Sequence, residues 1–332
     1  MRPLAVTMGD PAGIGGEILI KAWAARQGLP AFFAIDDPTR LRAEARRLGV
    51  DLPLGEIGDP KEAKAIFGSA LPILPIGLAA PAVPGRGDPA NGAAVIRSIE
   101  MAVDCALRGE AAGVVTNPIH KETLYAAGFA FPGHTEKLEA MAGTSDATVM
   151  MLACPELRVV PATIHVALAQ AIRLVDRGLI VRTARVIDAA LKTDFGIARP
   201  RIAVAGLNPH AGEGGAMGRE DMDIVAPAVA ELVRAGIDAR GPLSADTMFH
   251  AAARRTYDAA LCLYHDQALI PIKTIDFAGG VNVTLGLKIV RTSPDHGTAF
   301  DIAGKGVADP TSLIAAMRLA GEIAGRRAAG RS

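Results

Sequence analysis

The stretch YHDQALIPIKTIDFAGGVNVTLGLKIVRTSPDHGTAFDIAGKG, which spans Tyr264–Gly306, sets polar groups at intervals in an apolar background. It contains the pair His265 and Asp266, then Lys273 and Arg291. Burying such groups is costly unless each is hydrogen-bonded, paired or bound to a ligand. The stretch therefore predicts part of an enzyme active site together with a glycine-rich cofactor loop.

The rest of the chain has the composition of a globular protein. Half of its 332 residues are apolar, and this length predicts about two domains. Lys+Arg and Asp+Glu each total 35, so no net charge favours nucleic acid or an anionic membrane. No apolar run reaches the roughly 18 to 20 residues of a membrane span, and Met1–Thr7 lacks the pattern of a signal peptide. Cys105, Cys154 and Cys262 lie in separate apolar runs, which indicates reduced thiols and a cytoplasmic protein without a nucleic-acid or membrane partner.

Strands and helices are predicted to alternate along the chain. The apolar runs Leu4–Met8, Gly113–Thr116, Ile202–Ala205 and Ala259–Leu263 are typical of buried strands. Helical patterns separate them, and one is predicted to run unbroken over Leu168–Lys192. Such alternation predicts the α/β class, with a mostly parallel sheet covered by helices on both faces.

Two turns precede predicted helices in a way that suits anion binding. Gly9–Glu17 reads GDPAGIGGE between the first strand and a helix, but it lacks the third glycine of a dinucleotide-binding fingerprint. Both phosphate contact and a plain tight turn are compatible with it. Gly133, His134 and Thr135 precede a helix that starts near Glu136. Backbone amides and the histidine could face an anion there, or Thr135 could simply cap the helix.

Three of the seven histidines, His165, His210 and His265, follow or end predicted strands. In open α/β sheets ligands sit beyond the carboxyl ends of the strands, so these side chains could converge. Three neutral imidazoles would hold a divalent ion such as zinc and leave a coordination position open. Taken singly, a histidine in such a position is more often an ordinary buried or capping residue than a metal ligand. His296, in a turn, could contact a ligand or close its loop.

A set of motifs in fixed order resembles the 4-hydroxythreonine-4-phosphate dehydrogenases of pyridoxal phosphate biosynthesis. They read GDPAGIG, TNPIHK with FPGHTE, GLNPHAGEGG with GRED, GPLSADT, YHDQALIPIK, and GVNVTLGL with RTSPDHGTAFDIAGKG. The resemblance runs from about Thr7 to the final helix. HGTAFDIAGKGVADP is also similar to the cofactor loop of isocitrate and isopropylmalate dehydrogenases, which implies NAD or NADP. Gly16, His120 and Lys288 depart from the residues that are common in the family.

The resemblance implies two α/β domains with a cleft between them, as in isocitrate and isopropylmalate dehydrogenases. The terminal, cofactor-side domain is expected at 1–116 plus 285–332. The central domain, expected at 117–284, would carry the metal, substrate and dimerisation surfaces. The resemblance also implies a homodimer in which the site is shared between chains.

Site residues follow from the resemblance by position. The metal ligands fall on His165, His210 and His265, and the substrate-binding residues on His134, Thr135, Lys273, Asn282 and Arg291. Cofactor contacts are expected at His296, Gly297, Asp301 and Gly304. The group that takes the substrate's proton stays open among the catalytic candidates Lys273, Asp246 and Asp266. Asp266 could instead orient a metal-bound histidine.

The implied reaction is metal-dependent NAD(P) oxidation of 4-phosphohydroxy-L-threonine, a small phosphorylated substrate. The resulting 3-oxo acid would decarboxylate to 3-amino-2-oxopropyl phosphate in pyridoxine 5'-phosphate biosynthesis. Zinc is the first candidate for the metal, with cobalt, magnesium and manganese as alternatives. A rival keeps the fold and oxidises 4-phosphoerythronate, 4-phosphothreonate or an aromatic cis-dihydrodiol. A different class, a phosphate acyltransferase, would need neither the three histidines nor the cofactor loop.

Overall fold

The computed structural model describes residues 1–131 and 133–330, without the side chains of residues 145 and 146. The chain forms two compact units. Unit 1 contains Met1–Gly143 and Leu287–Gly325, and unit 2 contains Thr144–Gly286 and the residues from Arg326 onward.

The first boundary lies later than the sequence-based expectation of 116/117. Residues 117–143 belong to unit 1 because Leu124 and Leu138 lie in its hydrophobic core, beside Ile99 and Val103. Asn117 and Pro118 mark the end of the strand Val114–Val115 in the sequence, but only side-chain packing assigns the helices that follow it to unit 1.

Strands and α-helices alternate through the described residues, so the predicted α/β class with a mostly parallel sheet is confirmed. The strands are β1 (Leu4–Thr7), β2 (Phe32–Asp36), β3 (Leu54–Glu56), β4 (Leu71–Pro75), β5 (Val114–Val115), β6 (Thr144–Cys154), β7 (Leu157–Pro161), β8 (Arg201–Ala205), β9 (Asp238–Leu243), β10 (Ala259–Cys262), β11 (Val281–Leu287) and β12 (Arg291–Pro294). The α-helices are α1 (Gly15–Ala24), α2 (Pro38–Arg47), α3 (Ala63–Ile66), α4 (Gly92–Leu107), α5 (Lys121–Ala126), α6 (His134–Ala142), α7 (Leu168–Leu174), α8 (Arg177–Thr193), α9 (Ala226–Arg234), α10 (Ala251–Arg254), α11 (His265–Ile275) and α12 (Thr311–Ala329).

The strands of unit 1 follow the order β3-β4-β2-β1-β5-β12, and each neighbouring pair is parallel. β1 and β2 are buried along their whole length. Continuous burial is expected for parallel strands that helices cover on both faces. Because β5 and β12 pair in parallel, their carboxyl ends lie side by side.

Unit 2 has the strand order β11-β6-β7-β10-β8-β9. β6 and β7 form an antiparallel hairpin, whereas β7, β10, β8 and β9 pair in parallel. Val159, Ala203 and Ala260 are fully buried in the core on which this sheet rests. Because β7, β10, β8 and β9 are parallel, the segments that follow them all begin at the same edge of the sheet.

The single helix predicted over Leu168–Lys192 is wrong. The helix α7 ends before Val175, whose backbone is extended (φ −69°, ψ 109°), and α8 begins after Asp176. The Asp176 carboxylate accepts a hydrogen bond from the Leu179 amide at 2.6 Å. An aspartate at this position caps the helix that follows, and the apolar periodicity on its two sides did not reveal the break.

The cysteine and membrane expectations can be compared with the structure directly. Cys105, Cys154 and Cys262 are all buried and free, as predicted. None of the described helices combines the length and the apolar character needed to cross a bilayer.

Candidate active site

Parallel pairing in unit 2 brings together residues from distant parts of the chain. Pro161 at the end of β7 pairs with Cys262 at the end of β10, and Leu261 pairs with Val204 of β8. β9 follows on the far side of β8. The segments beyond these strands carry several of the predicted site residues at one edge of the sheet, namely His165, His265, His210 and Asp246.

The chain stays beside β10 for a few residues after β7 ends. The Thr163 hydroxyl donates a hydrogen bond to the Leu263 carbonyl oxygen at 2.8 Å. His165 and His265 follow directly, and their ring centres are 5.7 Å apart. Two imidazoles at this separation can share one ion between them. The structure thus brings two of the three predicted metal ligands together.

A carboxylate orients the second of these imidazoles. Nδ1 of His265 lies 2.7 Å from Oδ1 of Asp266, the next residue. Such a bond fixes the ring and its tautomer, so that Nε2 carries the lone pair. Both imidazoles and Asp266 line a cavity of about 280 Å³, together with Tyr264 and Leu168.

His210 lies in a left-handed loop after β8. Its φ is 52°, and Ala211 and Glu213 also have positive φ (54° and 43°). Non-glycine residues in this region cost on the order of 1 kcal/mol each and cluster at functional sites. Nδ1 of His210 is 3.1 Å from a Glu213 oxygen, and Nε2 is 3.9 Å from Oδ2 of Asp246. His210 is therefore held between two carboxylates.

Two buried side chains that the sequence did not single out hold these loops. Asp221, fully buried, accepts hydrogen bonds from the amides of Leu207 and Asn208 at 2.7 and 2.9 Å. Gln267 of α11 accepts from the Leu263 amide and donates to the Gly206 carbonyl, each at 2.7 Å. A polar residue next to the His-Asp pair in YHDQ was the available signal for Gln267.

The remaining predicted residues of unit 2 lie on α11 and β11. Lys273 lies about two turns beyond His265 on α11, with its ammonium 5.4 Å from the ring centre of Phe277. Asn282 lies on β11, and its Oδ1 is buried with no hydrogen-bond partner among the described residues. A buried amide oxygen of this kind is suited to a ligand N–H or O–H.

The histidines and carboxylates of unit 2 are side chains that bind divalent metals, but too few of them lie together to form a complete site. Among the described residues, no three His, Cys, Asp or Glu side chains are grouped closely enough to hold an ion. Imidazoles oriented by carboxylates are nevertheless the usual ligands of zinc and related metals. His165 and His265 would supply two ligands, and His210 stands outside their pair.

Unit 1 holds a buried cation at the carboxyl ends of β5 and β12. Arg291 pairs in register with Val114, and its Nη2 donates to the Thr116 hydroxyl at 2.7 Å. Arg291 is 5% exposed and Thr116 is 1% exposed. Burial lowers the pKa of Arg291 to about 10, so the guanidinium keeps its charge at neutral pH. A buried guanidinium is well suited to binding carboxylate or phosphate.

His134 is the first residue of α6, next to this cation. Gly133, not Thr135, occupies the N-cap position, and Thr135 lies in the first turn. Burial, and then the charges of Arg291 and Lys121, lower the pKa of His134 to about 3. Its Nε2 is buried with no hydrogen-bond partner among the described residues. A neutral imidazole therefore lies at a helix N-terminus between two cations, where an anion is favoured.

The predicted cofactor loop packs on the glycine-rich turn after β1. The Ile14 amide donates to the Thr298 carbonyl oxygen at 3.1 Å, and the Gly13 amide donates to Asp10 at 3.0 Å. A Cβ at Gly13 would lie 2.9 Å from the Thr298 oxygen, so a larger residue would force the two segments apart. These amides are occupied within the protein, which supports the tight-turn interpretation over phosphate contact.

The predicted cofactor-binding residues all lie in this loop of unit 1. Nδ1 of His296 is 3.0 Å from the Gly297 carbonyl oxygen, which leaves Nε2 as a buried acceptor without a partner among the described residues. Gly304 has a φ of 74° and Asp301 is exposed. His120, one of the departures from the family pattern, packs against Phe300 of the same loop, with ring centres 4.7 Å apart and the rings tilted by 38°.

We expect the depressed pKa of His134 to make the protein acid-sensitive. Between its ordinary value of 6.5 and its folded value of about 3, the unfolded chain binds a proton that the folded chain does not. The free energy of unfolding should therefore fall as pH drops below 6.5, by at most about 1.4 kcal/mol per pH unit. Urea denaturation at several pH values between 7.5 and 5 should show a smaller fall for His134→Gln.

His250→Asn is the matched control for this measurement. His250 is exposed and caps α10 through its side chain, a role that asparagine keeps. This variant should keep the loss of stability at acidic pH, because His134 stays in place. If the free energy of unfolding falls equally with acid in wild type and in His134→Gln, His134 is not a buried neutral imidazole.

The comparisons with known proteins agree with one another. The family model described as "Pyridoxal phosphate biosynthetic protein PdxA" matches residues 29–320. A 4-hydroxythreonine-4-phosphate dehydrogenase of Methylorubrum populi is 56% identical, covering 98% of this chain and 96% of the relative. The crystal structure of the enzyme of that name from Klebsiella pneumoniae is 40% identical with a TM-score of 0.87, over 98% of this chain and 100% of that one.

A more distant solved structure is also similar. It is a terephthalate 1,2-cis-dihydrodiol dehydrogenase from Burkholderia xenovorans, 32% identical with a TM-score of 0.63, over 96% of this chain and 97% of that one. The family match covers most of the sequence, and the first relative exceeds half identity over almost its whole length. The chain therefore belongs to the PdxA family of pyridoxal phosphate biosynthetic proteins.

Proposed function

We propose that this chain is a metal-dependent NAD(P) dehydrogenase that oxidises 4-phosphohydroxy-L-threonine. The observation that carries the proposal is the pair His165 and His265, 5.7 Å apart, with Asp266 bound to the second ring. The names of the close relatives support the substrate, because they act on 4-hydroxythreonine 4-phosphate by name.

The anionic end of the substrate would bind in unit 1. Arg291 and Lys121 place positive charge around His134 at the start of α6. A phosphate dianion matches two cations and a helix N-terminus, and Arg291 can bind it through two parallel hydrogen bonds. His134, kept neutral by its surroundings, can accept or donate a hydrogen bond without adding a third positive charge.

The strand-end histidines of unit 2 are suited to a metal that acts on the reacting hydroxyl. A divalent ion held by the histidines, zinc or alternatively cobalt, magnesium or manganese, would lower the pKa of that hydroxyl as a Lewis acid. NAD or NADP, held by His296, Gly297, Asp301 and Gly304, would accept the hydride. Lys273 and Asn282 supply a cation and a buried acceptor for the rest of the substrate.

The proton of the hydroxyl needs an acceptor, and the three candidates differ in their contacts. Asp266 is engaged by His265 at 2.7 Å, which favours an orienting role. Asp246 lies 3.9 Å from Nε2 of His210, and the Ser244 hydroxyl donates to its Oδ1 at 2.6 Å. A carboxylate that faces the third histidine suits proton transfer. We therefore rank Asp246 first, with Lys273 as the alternative.

The oxidised substrate carries a ketone next to the carbon that bears its carboxylate. A 3-oxo acid of this kind loses carbon dioxide readily, because the carbanion left behind is delocalised into the carbonyl. The product would be 3-amino-2-oxopropyl phosphate. A cation such as Lys273 would stabilise the negative charge that develops while the carbon–carbon bond breaks.

An exposed apolar segment beside His165 supports a homodimer with a shared site. Leu168, Ile172 and Leu174 are 58%, 45% and 45% exposed on α7, and Ile164 is 37% exposed just before His165. Neighbouring exposed apolar side chains indicate a protein contact. A second copy covering this segment would bring its residues to the cavity that His165 lines.

The purified protein should form NADH or NADPH from 4-phosphohydroxy-L-threonine, and a metal chelator should abolish this activity. Removing the ion takes away the Lewis acid, so kcat should fall before substrate binding does. Added zinc or cobalt should restore turnover after the chelator is removed. Cofactor absorbance reports the reaction, and His210→Ala should lose both bound metal and activity while keeping its circular dichroism spectrum.

Parallel assays separate the rival functions. Faster turnover of 4-phosphoerythronate, 4-phosphothreonate or a terephthalate cis-dihydrodiol would replace the proposed substrate. Binding of coenzyme A in place of nicotinamide cofactors would favour a phosphate acyltransferase. Full activity of the chelated protein would overturn the metal assignment.

The two aspartates should respond differently to substitution. Asp266→Asn should weaken metal affinity by about 10- to 100-fold, the usual effect of losing a carboxylate behind a metal-bound histidine. Asp246→Asn should retain metal and lose kcat. Metal content after dialysis and kcat at saturating metal measure the two effects, and the reverse pattern would exchange the two roles.

Leu168→Asp should shift the protein from dimer to monomer, because it places a charge in the proposed interface. Sedimentation velocity at several protein concentrations measures the change. Val83→Asp, at a 53% exposed site in unit 1, is the control and should remain dimeric. A monomeric wild-type protein would remove the shared-site proposal.

A further inference from the structure

Arg291 is the buried first residue of β12. Its strand, β12, pairs with β5, and the Thr116 amide donates to the Thr292 carbonyl oxygen at 3.0 Å just past the end of β5. The Arg291 side chain then bonds to the Thr116 side chain across the same strand pair. Both residues are almost wholly buried. The backbone ladder therefore fixes donor and acceptor relative to each other.

An arginine side chain has several rotatable bonds, and its use in anion binding depends on the plane of the guanidinium. A hydrogen bond from Nη2 to a buried hydroxyl restricts the orientations that this plane can take. Thr116 is itself rigid, because its branched Cβ restricts the first side-chain torsion. The hydroxyl of Thr116 is thus a fixed point against which the guanidinium is aligned.

We propose that Thr116 is a positioning residue that aims Arg291 at the phosphate of the substrate. It would act on the affinity for the phosphorylated end and not on the reacting hydroxyl. This inference rests on the proposed function for its substrate. Its core claim, that Thr116 sets the anion affinity of Arg291, can be measured without turnover.

The neighbouring strand offers a matched control. Thr292 follows Arg291, is fully buried, and its hydroxyl donates to the Ala316 carbonyl oxygen at 2.9 Å. Thr292→Val and Thr116→Val each delete one buried, hydrogen-bonded hydroxyl with little change in volume. Both variants should unfold at a lower urea concentration than wild type, but only the Thr116 hydroxyl accepts a hydrogen bond from the Arg291 side chain.

Calorimetric titration of the full chain with inorganic phosphate, and with the phosphorylated substrate without cofactor, tests the proposal. Thr116→Val should raise the Kd for both ligands about tenfold, and should raise KM with kcat changed less than about twofold. Thr116→Ser should bind like wild type. Thr292→Val should leave Kd within about twofold of wild type.

A double-mutant cycle separates positioning from general destabilisation. If Thr116 acts through Arg291, adding Thr116→Val to Arg291→Met should weaken binding no further. An unchanged Kd in Thr116→Val, an equal loss in Thr292→Val, or additive losses in the double variant would each overturn the proposal. A different outcome would concern the proposed function alone. If phosphate binding and the double-mutant cycle give the expected results but the protein reduces no cofactor with the substrate, the proposed function is wrong and the role of Thr116 stands.

Discussion

Parallel pairing of strands from distant parts of the chain is the constraint on which the candidate site depends. In unit 1 it aligns Arg291 with Val114, and in unit 2 it aligns Cys262 with Pro161. Parallel strands all end at the same edge of a sheet, so the residues that follow them become neighbours whatever their separation in sequence. The contact between His165 and His265 is a direct result, because each lies a few residues past its strand.

This geometry also explains which parts of the site the sequence could predict. The α/β class and the proximity of His165 to His265 follow from apolar runs that end in polar residues. The position of His210 does not follow, because its loop has left-handed backbone at non-glycine residues. No local propensity predicts that conformation; it depends on the tertiary hydrogen bonds of Asp221.

The sequence also predicted some of the secondary-structure elements and missed others. Continuous apolar strands and capped helices were readable, whereas the break at Val175 and the helix α11 over His265–Ile275 were not. The apolar periodicity of residues 168–192 spans the break, and only Asp176 marks the new helix start. α11 contains Pro271 and a near-continuous apolar sequence, so neither composition nor period separates it from a strand.

Burial of the Arg291 guanidinium in unit 1 is unfavourable, and an anionic ligand would offset this desolvation. Arg291 is removed from water, and its charge helps to keep His134 neutral. Burial disfavours the charge of Arg291, and the Glu136 carboxylate offsets this only in part. An anionic ligand that pairs with the guanidinium would therefore gain part of its binding energy by offsetting it further. In unit 2 the candidate metal site lacks ligands: His165 and His265 lie together without a third ligand in their group, and apolar side chains beside them are exposed. One event, the docking of a second chain, would both cover Leu168 and bring further groups to His165, and for that reason we treat the metal site and the dimer as one proposal.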